Sequence, residues 1–187
     1  MALQTRPRGV ALREPGQSGR ELVCREALRW VAVLAALRPQ RHARCLRAEQ
    51  KVGRILDGLA ASGWLTLHDL AGGRGKIDHI AVGPSGVFAI ETKSQRGRVC
   101  VERISRRWLS QAYTERRHLE DLTGIRIDPL LVFSDADIVG QPVSRRRGVL
   151  VLPARMLAGH LSTRQTILTG EQVRERYARI VSALSAG

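Results

Sequence analysis

The sequence predicts an α/β fold with a mixed β-sheet flanked by helices. Three observations carry this expectation. Two apolar patterns of helical spacing occupy the first third of the chain, short period-two segments follow around the turn Gly83-Pro84-Ser85-Gly86, and two continuous apolar runs then lie between further helical patterns.

Residues 1–20 hold two prolines, three glycines and four arginines without apolar periodicity, and they read as a flexible basic arm. From Glu21 to Leu37 the apolar residues recur at three and four, a helical pattern closed by Pro39. A second helix carries the stripe Leu46, Val52, Ile55, Leu56 and Leu59 and stops at Ser62-Gly63. Glu49 falls on or beside that stripe, an unusual place for a carboxylate. Four strands are expected next, at Trp64–Leu70, Lys76–Val82, Val87–Lys93 and Arg98–Ile104, arranged as an antiparallel meander. Leu109–Leu122 returns to helical spacing, Asp128–Phe133 and Gly148–Leu152 read as buried strands, and Glu171–Leu184 reads as a last helix. Asp135–Arg147, with Gly140, Pro142 and three consecutive arginines, reads as a surface loop.

The chain has 187 residues, 43% hydrophobic and 26% charged, enough for one ordinary core, so residues 21–187 are expected to form a single domain. No run approaches the roughly 20 apolar residues of a membrane span, and no apolar segment within the first twenty residues resembles a secretory leader. Cys24, Cys45 and Cys100 are odd in number and form no CxxC pair. That argues against a zinc cage or a disulfide framework and favours a reducing cytoplasm. The net charge is +14, and residues 1–47 alone carry ten Arg against three Glu. Such a balance favours a polyanionic partner, chiefly nucleic acid.

The chemistry concentrates in Lys76–Lys93. A hairpin bent symmetrically at Pro84-Ser85 pairs residues whose numbers sum to 169, which sets Asp78 opposite Glu91. Opposed residues bring their Cβ atoms to about 4.5–5.5 Å. Two carboxylates held so close on a partly buried face repel unless a proton or a cation intervenes, and a hard divalent ion with oxygen ligands resolves the conflict. Lys93 lies two residues after Glu91 and shares its face of the strand. Its ammonium could hold an attacking water or balance charge on a phosphate oxygen. The register also sets Lys76 opposite Lys93, a pairing the metal does not explain. A Glu and a Lys alternating along a strand are otherwise ordinary features of a solvated surface.

The stretch Ile77-Asp78-His79-Ile80 through Ile90-Glu91-Thr92-Lys93 resembles the core of the nuclease-related domain (NERD), which belongs with the restriction-endonuclease-like PD-(D/E)xK nucleases. Ala48-Glu49-Gln50-Lys51-Val52 resembles that family's first helix, and Gln111-Ala112 its glutamine motif. The resemblance runs from about Arg47 to Phe133. It implies a restriction-endonuclease-like mixed sheet and magnesium-dependent hydrolysis of nucleic-acid phosphodiesters, with manganese as a substitute ion and DNA favoured over RNA. Asp78 and Glu91 would bind the metal, with the Thr92 carbonyl as a further ligand. Glu49 would hold water at the ion, Lys93 would position the nucleophile, and Gln111 would orient Lys93 or that water. The alternative is a module of the same fold that binds nucleic acid without cutting it.

Arg103, Arg106, Arg107, Arg116 and Arg117 stand near the site in sequence and form the expected phosphate track. Trp108 among them could stack on a base, although packing against the sheet is the simpler role. His79 points to the strand face opposite Asp78 and reads as a packed or hydrogen-bonded core histidine, while His42, His68, His118 and His160 read as surface residues. Thr92 and Ser94 lack a histidine and aspartate partner, so no hydrolase triad is expected.

Overall fold

The computed structural model describes residues 39–72 and 75–186. The arm 1–20 and the helix expected at Glu21–Leu37, with Trp30, lie outside the described residues. Residues Ala43–Gly187 form one compact unit, which holds the whole sheet.

A six-stranded mixed sheet runs in the order β1-β2-β3-β4-β6-β5. Helix α1, over 39–57, and a 3₁₀ turn at Ala60–Ser62 lead into it, with Gly63 in the left-handed conformation as the stop. Strands β1 (Leu65–Gly72), β2 (Gly75–Gly83) and β3 (Gly86–Cys100) are joined antiparallel. Helix α2 (Arg106–Thr123) then crosses to β4 (Asp128–Val139), which runs parallel to β3. Strand β5 (Ser144–Arg146) forms a hairpin with β6 (Val149–Pro153), and β6 runs parallel to β4. Helices α3 (Leu157–Ser162) and α4 (Gly170–Ser185) complete the chain.

Residue alternation along the strands feeds two opposite cores. Phe88, Ile90, Leu130, Val132 and Leu152 meet Val52 and Leu56 of α1 and Leu157 and Leu161 of α3. On the other face, Ile80, Val82, Val87 and Ala89 meet Leu119 of α2 and Val173 and Ile180 of α4. Leu131, Phe133 and Val151 continue that second face beneath Leu109 and Ala112 of α2. Coverage on both faces explains why β4 and β6 read as unbroken apolar runs rather than as alternating ones.

The mixed α/β class holds, and three local readings are corrected. The meander has three strands, because β3 does not stop at Lys93. Its register against β4 shifts between Lys93 and Arg96, after which Arg96–Cys100 pair with Asp135–Val139. The segment Arg98–Ile104 is therefore the end of β3 followed by a 3₁₀ turn at Val101–Arg103. The same pairing makes the first part of Asp135–Arg147 strand rather than loop, with Ala136 and Ile138 buried against β3 and α2. Its end forms β5, and Arg147-Gly148, both at positive φ, make the tight turn into β6.

Candidate active site

The hairpin β2–β3 turns at Pro84-Ser85, and its backbone ladder runs from Gly83–Gly86 to His79–Ile90 in the register read from the sequence. The turn is docked from outside: the Pro84 carbonyl accepts the N–H groups of Ile167 and Leu168, and the Ser85 hydroxyl donates to the Leu161 carbonyl. Trp64 lies flat against Gly83, where an added Cβ would stand 2.1 Å from the indole, and it also packs on Phe88. The bend that sets the register is thus fixed by contacts on both sides.

Beyond His79–Ile90 the two arms no longer share backbone bonds. There Asp78 accepts the Thr92 N–H on Oδ2 at 2.8 Å, so the carboxylate takes a donor left free where the ladder ends. The β1–β2 ladder passes over the same point, with Asp69 at φ 55° between the pairs His68–His79 and Leu70–Ile77. Asp78 is 8% exposed and Glu91 only 3%. The ammonium of Lys93 binds Glu91 Oε1 and also donates to Gln111 Oε1 at 3.3 Å from α2. Trp108 closes the group, its ring 5.6 Å from the Lys93 ammonium and edge-on to Phe133.

Glu49 arrives from α1, one turn before the buried Val52. Its Oε2 accepts from Lys76 at 2.6 Å, and Lys76 also reaches Asp69 at 3.0 Å. Lys76 therefore does not face Lys93, the pairing that a continued ladder would have imposed: two carboxylates draw it to the rim. The hydrogen bond to Glu49 holds its ammonium above the ordinary lysine range.

Sequence reasoning missed Glu115. It sits one turn after Gln111 on the face of α2 that packs on the sheet, between the buried Ala112 and Leu119. Its Oε2 is buried without a hydrogen-bond partner, and the charge of Glu91 acts on its carboxyl. The signal was the spacing of four from Gln111, which places both side chains over one patch of sheet.

Burial and mutual repulsion act on the acids of the site. Burial, and then the charge of Glu91, push Asp78 up to about 7 against the opposing Thr92 N–H. Burial, and then Glu91, push Glu115 up to about 8. Asp78, Glu91 and Lys93 open into a cleft of about 670 Å³ that also takes in Arg44, Cys45 and Arg96, none of them anticipated as site residues. Of the expected phosphate track, Arg103 lines a neighbouring groove that shares Gln95 and Trp108 with the cleft. Arg106 and Arg107 are exposed at the start of α2, which Ser105 caps. Arg116 is tied to Glu120 at 3.0 Å and stacks over Tyr113, and Arg117 lines a separate hollow with His118 and Asp121.

His79 is buried on the α1 side, as its parity required, but His68 is no mere surface residue. The two Nδ1 atoms lie 2.8 Å apart, and His68 Nε2 is 2.9 Å from Asp57 Oδ1. The distances fit a chain in which His68 donates to Asp57 and His79 donates its Nδ1–H to His68. Burial, with His68 and Lys76 nearby, lowers His79 to about 4, so it stays neutral.

Residues 45–134 match the family model of the nuclease-related domain, a span that holds Glu49, the hairpin and Gln111. Residues 45–134 are thus similar to a nuclease-related (NERD) domain, over just under half of the 187-residue chain. Its six-stranded mixed sheet flanked by helices is consistent with the restriction-endonuclease-like fold. Comparison with curated proteins and with solved structures returned no match. No described helix of the chain is long and apolar enough to cross a membrane.

The residues of the site fit a hard divalent ion. Glu91 Oε2 is buried without a hydrogen-bond partner, beside a second buried carboxylate, and both offer the oxygen donors that magnesium and manganese take. Among the described residues, no three His, Cys, Asp or Glu side chains already form a ligating cluster. An ion there would draw on two carboxylates, backbone carbonyl and water, the mixed shell usual for magnesium.

Proposed function

We propose that the NERD domain is a metal-dependent nuclease that hydrolyses phosphodiester bonds of nucleic acid, with DNA as the favoured substrate. One observation carries the reading: the two arms of one hairpin bring Asp78 and Glu91 into a single buried site, with the amine of Lys93 on the same strand face.

Asp78 and Glu91 would hold a magnesium or manganese ion, with the Thr92 carbonyl as the backbone donor. The ion supplies positive charge that polarises the scissile phosphate. Lys93 donates toward the attacking water and the phosphate oxygens, and Gln111, 3.3 Å from the ammonium, keeps that amine aimed at the cleft. The water oxygen bonds to phosphorus as one ester P–O bond breaks, and the proton lost from the water ends on the departing oxygen. Glu49 holds water at the cleft border while its charge is balanced by Lys76. Arg44 and Arg96 at the cleft, with Arg103 in the adjoining groove, give a sequence-independent grip on the phosphate backbone. The free thiols Cys45 and Cys100 support a reducing cytoplasm as the working compartment.

The test is incubation of the full chain with labelled DNA and RNA across a magnesium and manganese titration. Cleavage that requires the ion and disappears in Glu91→Gln and in Lys93→Ala supports the nuclease. Uncut nucleic acid bound with a steep salt dependence overturns it in favour of a non-catalytic binding module of the same fold.

A further inference from the structure

Glu115 occupies a position that packing alone would give to an apolar residue. Helix α2 buries Leu109, Ala112, Leu119 and Thr123 against the sheet, and Glu115 falls between the second and third of these. No ion pair to Glu115 occurs among the described residues: neighbouring Arg116 is taken by Glu120, and Lys93 by Glu91. Its Oε2 and the Oε2 of Glu91 are both buried and unpartnered, one from α2 and one from β3. A buried carboxylate oxygen without a donor is costly, and two in one pocket are costlier, unless something positive belongs between them.

We propose that Glu115 is the third acidic group of the ion site, holding the ion's hydration water on the α2 side while Asp78 and Glu91 supply direct oxygen donors. This inference rests on the metal-dependent reading of the site. Partners of this outer kind commonly change metal affinity by 10–100-fold. Gln111, one turn earlier on α2, accepts from the amine of Lys93 at 3.3 Å, so the same helix supplies the group that orients the amine.

The experiment measures manganese binding to the full chain by calorimetry and by the electron paramagnetic resonance signal of free Mn2+, without substrate. Glu115→Gln keeps the shape and removes the charge, and its dissociation constant should rise at least about tenfold over the unaltered protein. Glu115→Asp keeps the charge and should bind more tightly than the Gln variant, which also guards against a general packing defect. Asp78→Asn should lose binding altogether. Equal affinity in Glu115→Gln and the unaltered protein overturns the role of Glu115 and leaves the nuclease reading intact. No manganese binding by the unaltered protein at millimolar ion overturns both.

Discussion

Thr92 donates its backbone N–H to Asp78 Oδ2 at 2.8 Å, just past the last backbone pair of the hairpin, His79–Ile90. That one bond ties the acid of β2 to the residue between Glu91 and Lys93 on β3. The geometry of the whole charged group therefore follows from where the ladder stops.

Removing the repulsion should stabilise the ion-free protein. Asp78→Asn keeps an acceptor for the Thr92 N–H and deletes a buried charge facing Glu91. In EDTA its melting temperature should exceed that of the unaltered protein by a few degrees, equivalent to about 1 kcal/mol or more. A lower melting temperature would show that the carboxylate itself holds the hairpin end together.

The same electrostatics fix a pH dependence. Asp78 and Glu115 have folded-state pKa values of about 7 and about 8, above their ordinary 3.8 and 4.5. The folded protein binds more protons than the unfolded chain in that interval, so stability declines as pH rises through those values. His79, lowered to about 4, acts in the opposite direction, but only below its ordinary 6.5. Between pH 6.5 and 8.5 the melting temperature in EDTA should therefore fall, and millimolar magnesium should abolish the fall. A flat profile in EDTA would contradict the burial and repulsion that raise these two acids.

Gly83→Ala should disturb the hairpin without touching any charged group. The new Cβ would meet the indole of Trp64 at 2.1 Å, and Trp64 is enclosed between Gly83 and Phe88. Overpacking of this kind costs about 1–3 kcal/mol. Denaturant unfolding should show the lower midpoint with an unchanged slope.

Breaking the histidine chain should also destabilise. His68→Ala leaves the Nδ1–H of His79 buried without an acceptor, a loss of about 1–3 kcal/mol. Asp57→Asn spares the histidine pair and should cost less. Equal losses in the two variants would mean that Asp57, not His79, is the anchor.

Nucleic-acid affinity should follow the arginines at the cleft rather than those along α2. Arg44→Ala and Arg96→Ala should each lower the slope of log affinity against log salt by about 1, because each removes one phosphate contact. Arg117→Ala, in a hollow away from the cleft, should leave the slope unchanged. The reverse ranking would move the nucleic-acid track onto α2.

Hairpin register, strand parity and the family match were legible in the chain itself, because a two-residue turn between glycines fixes pairing and every second residue shares a face. From these came Asp78, Glu91 and Lys93 as neighbours. The continuation of β3 to Cys100 was not legible: Arg96, Gly97 and Arg98 are exposed and polar, and only pairing with β4 holds them extended. The link from His68 to Asp57 joins β1 to α1, which no local pattern could reveal.

The sequence by itself determined the hairpin and the parity of its charged residues, and it carried the family resemblance, all of them properties of short-range spacing. Only the tertiary structure decided that Lys76 would turn to Glu49, that Arg44 and Arg96 would line the cleft, and that Glu115 would join the acids. Those outcomes depend on how α1 and α2 lie over the end of the sheet. Contacts between elements distant in the chain are set by the packing of whole faces, and a run of neighbouring residues contains no record of them.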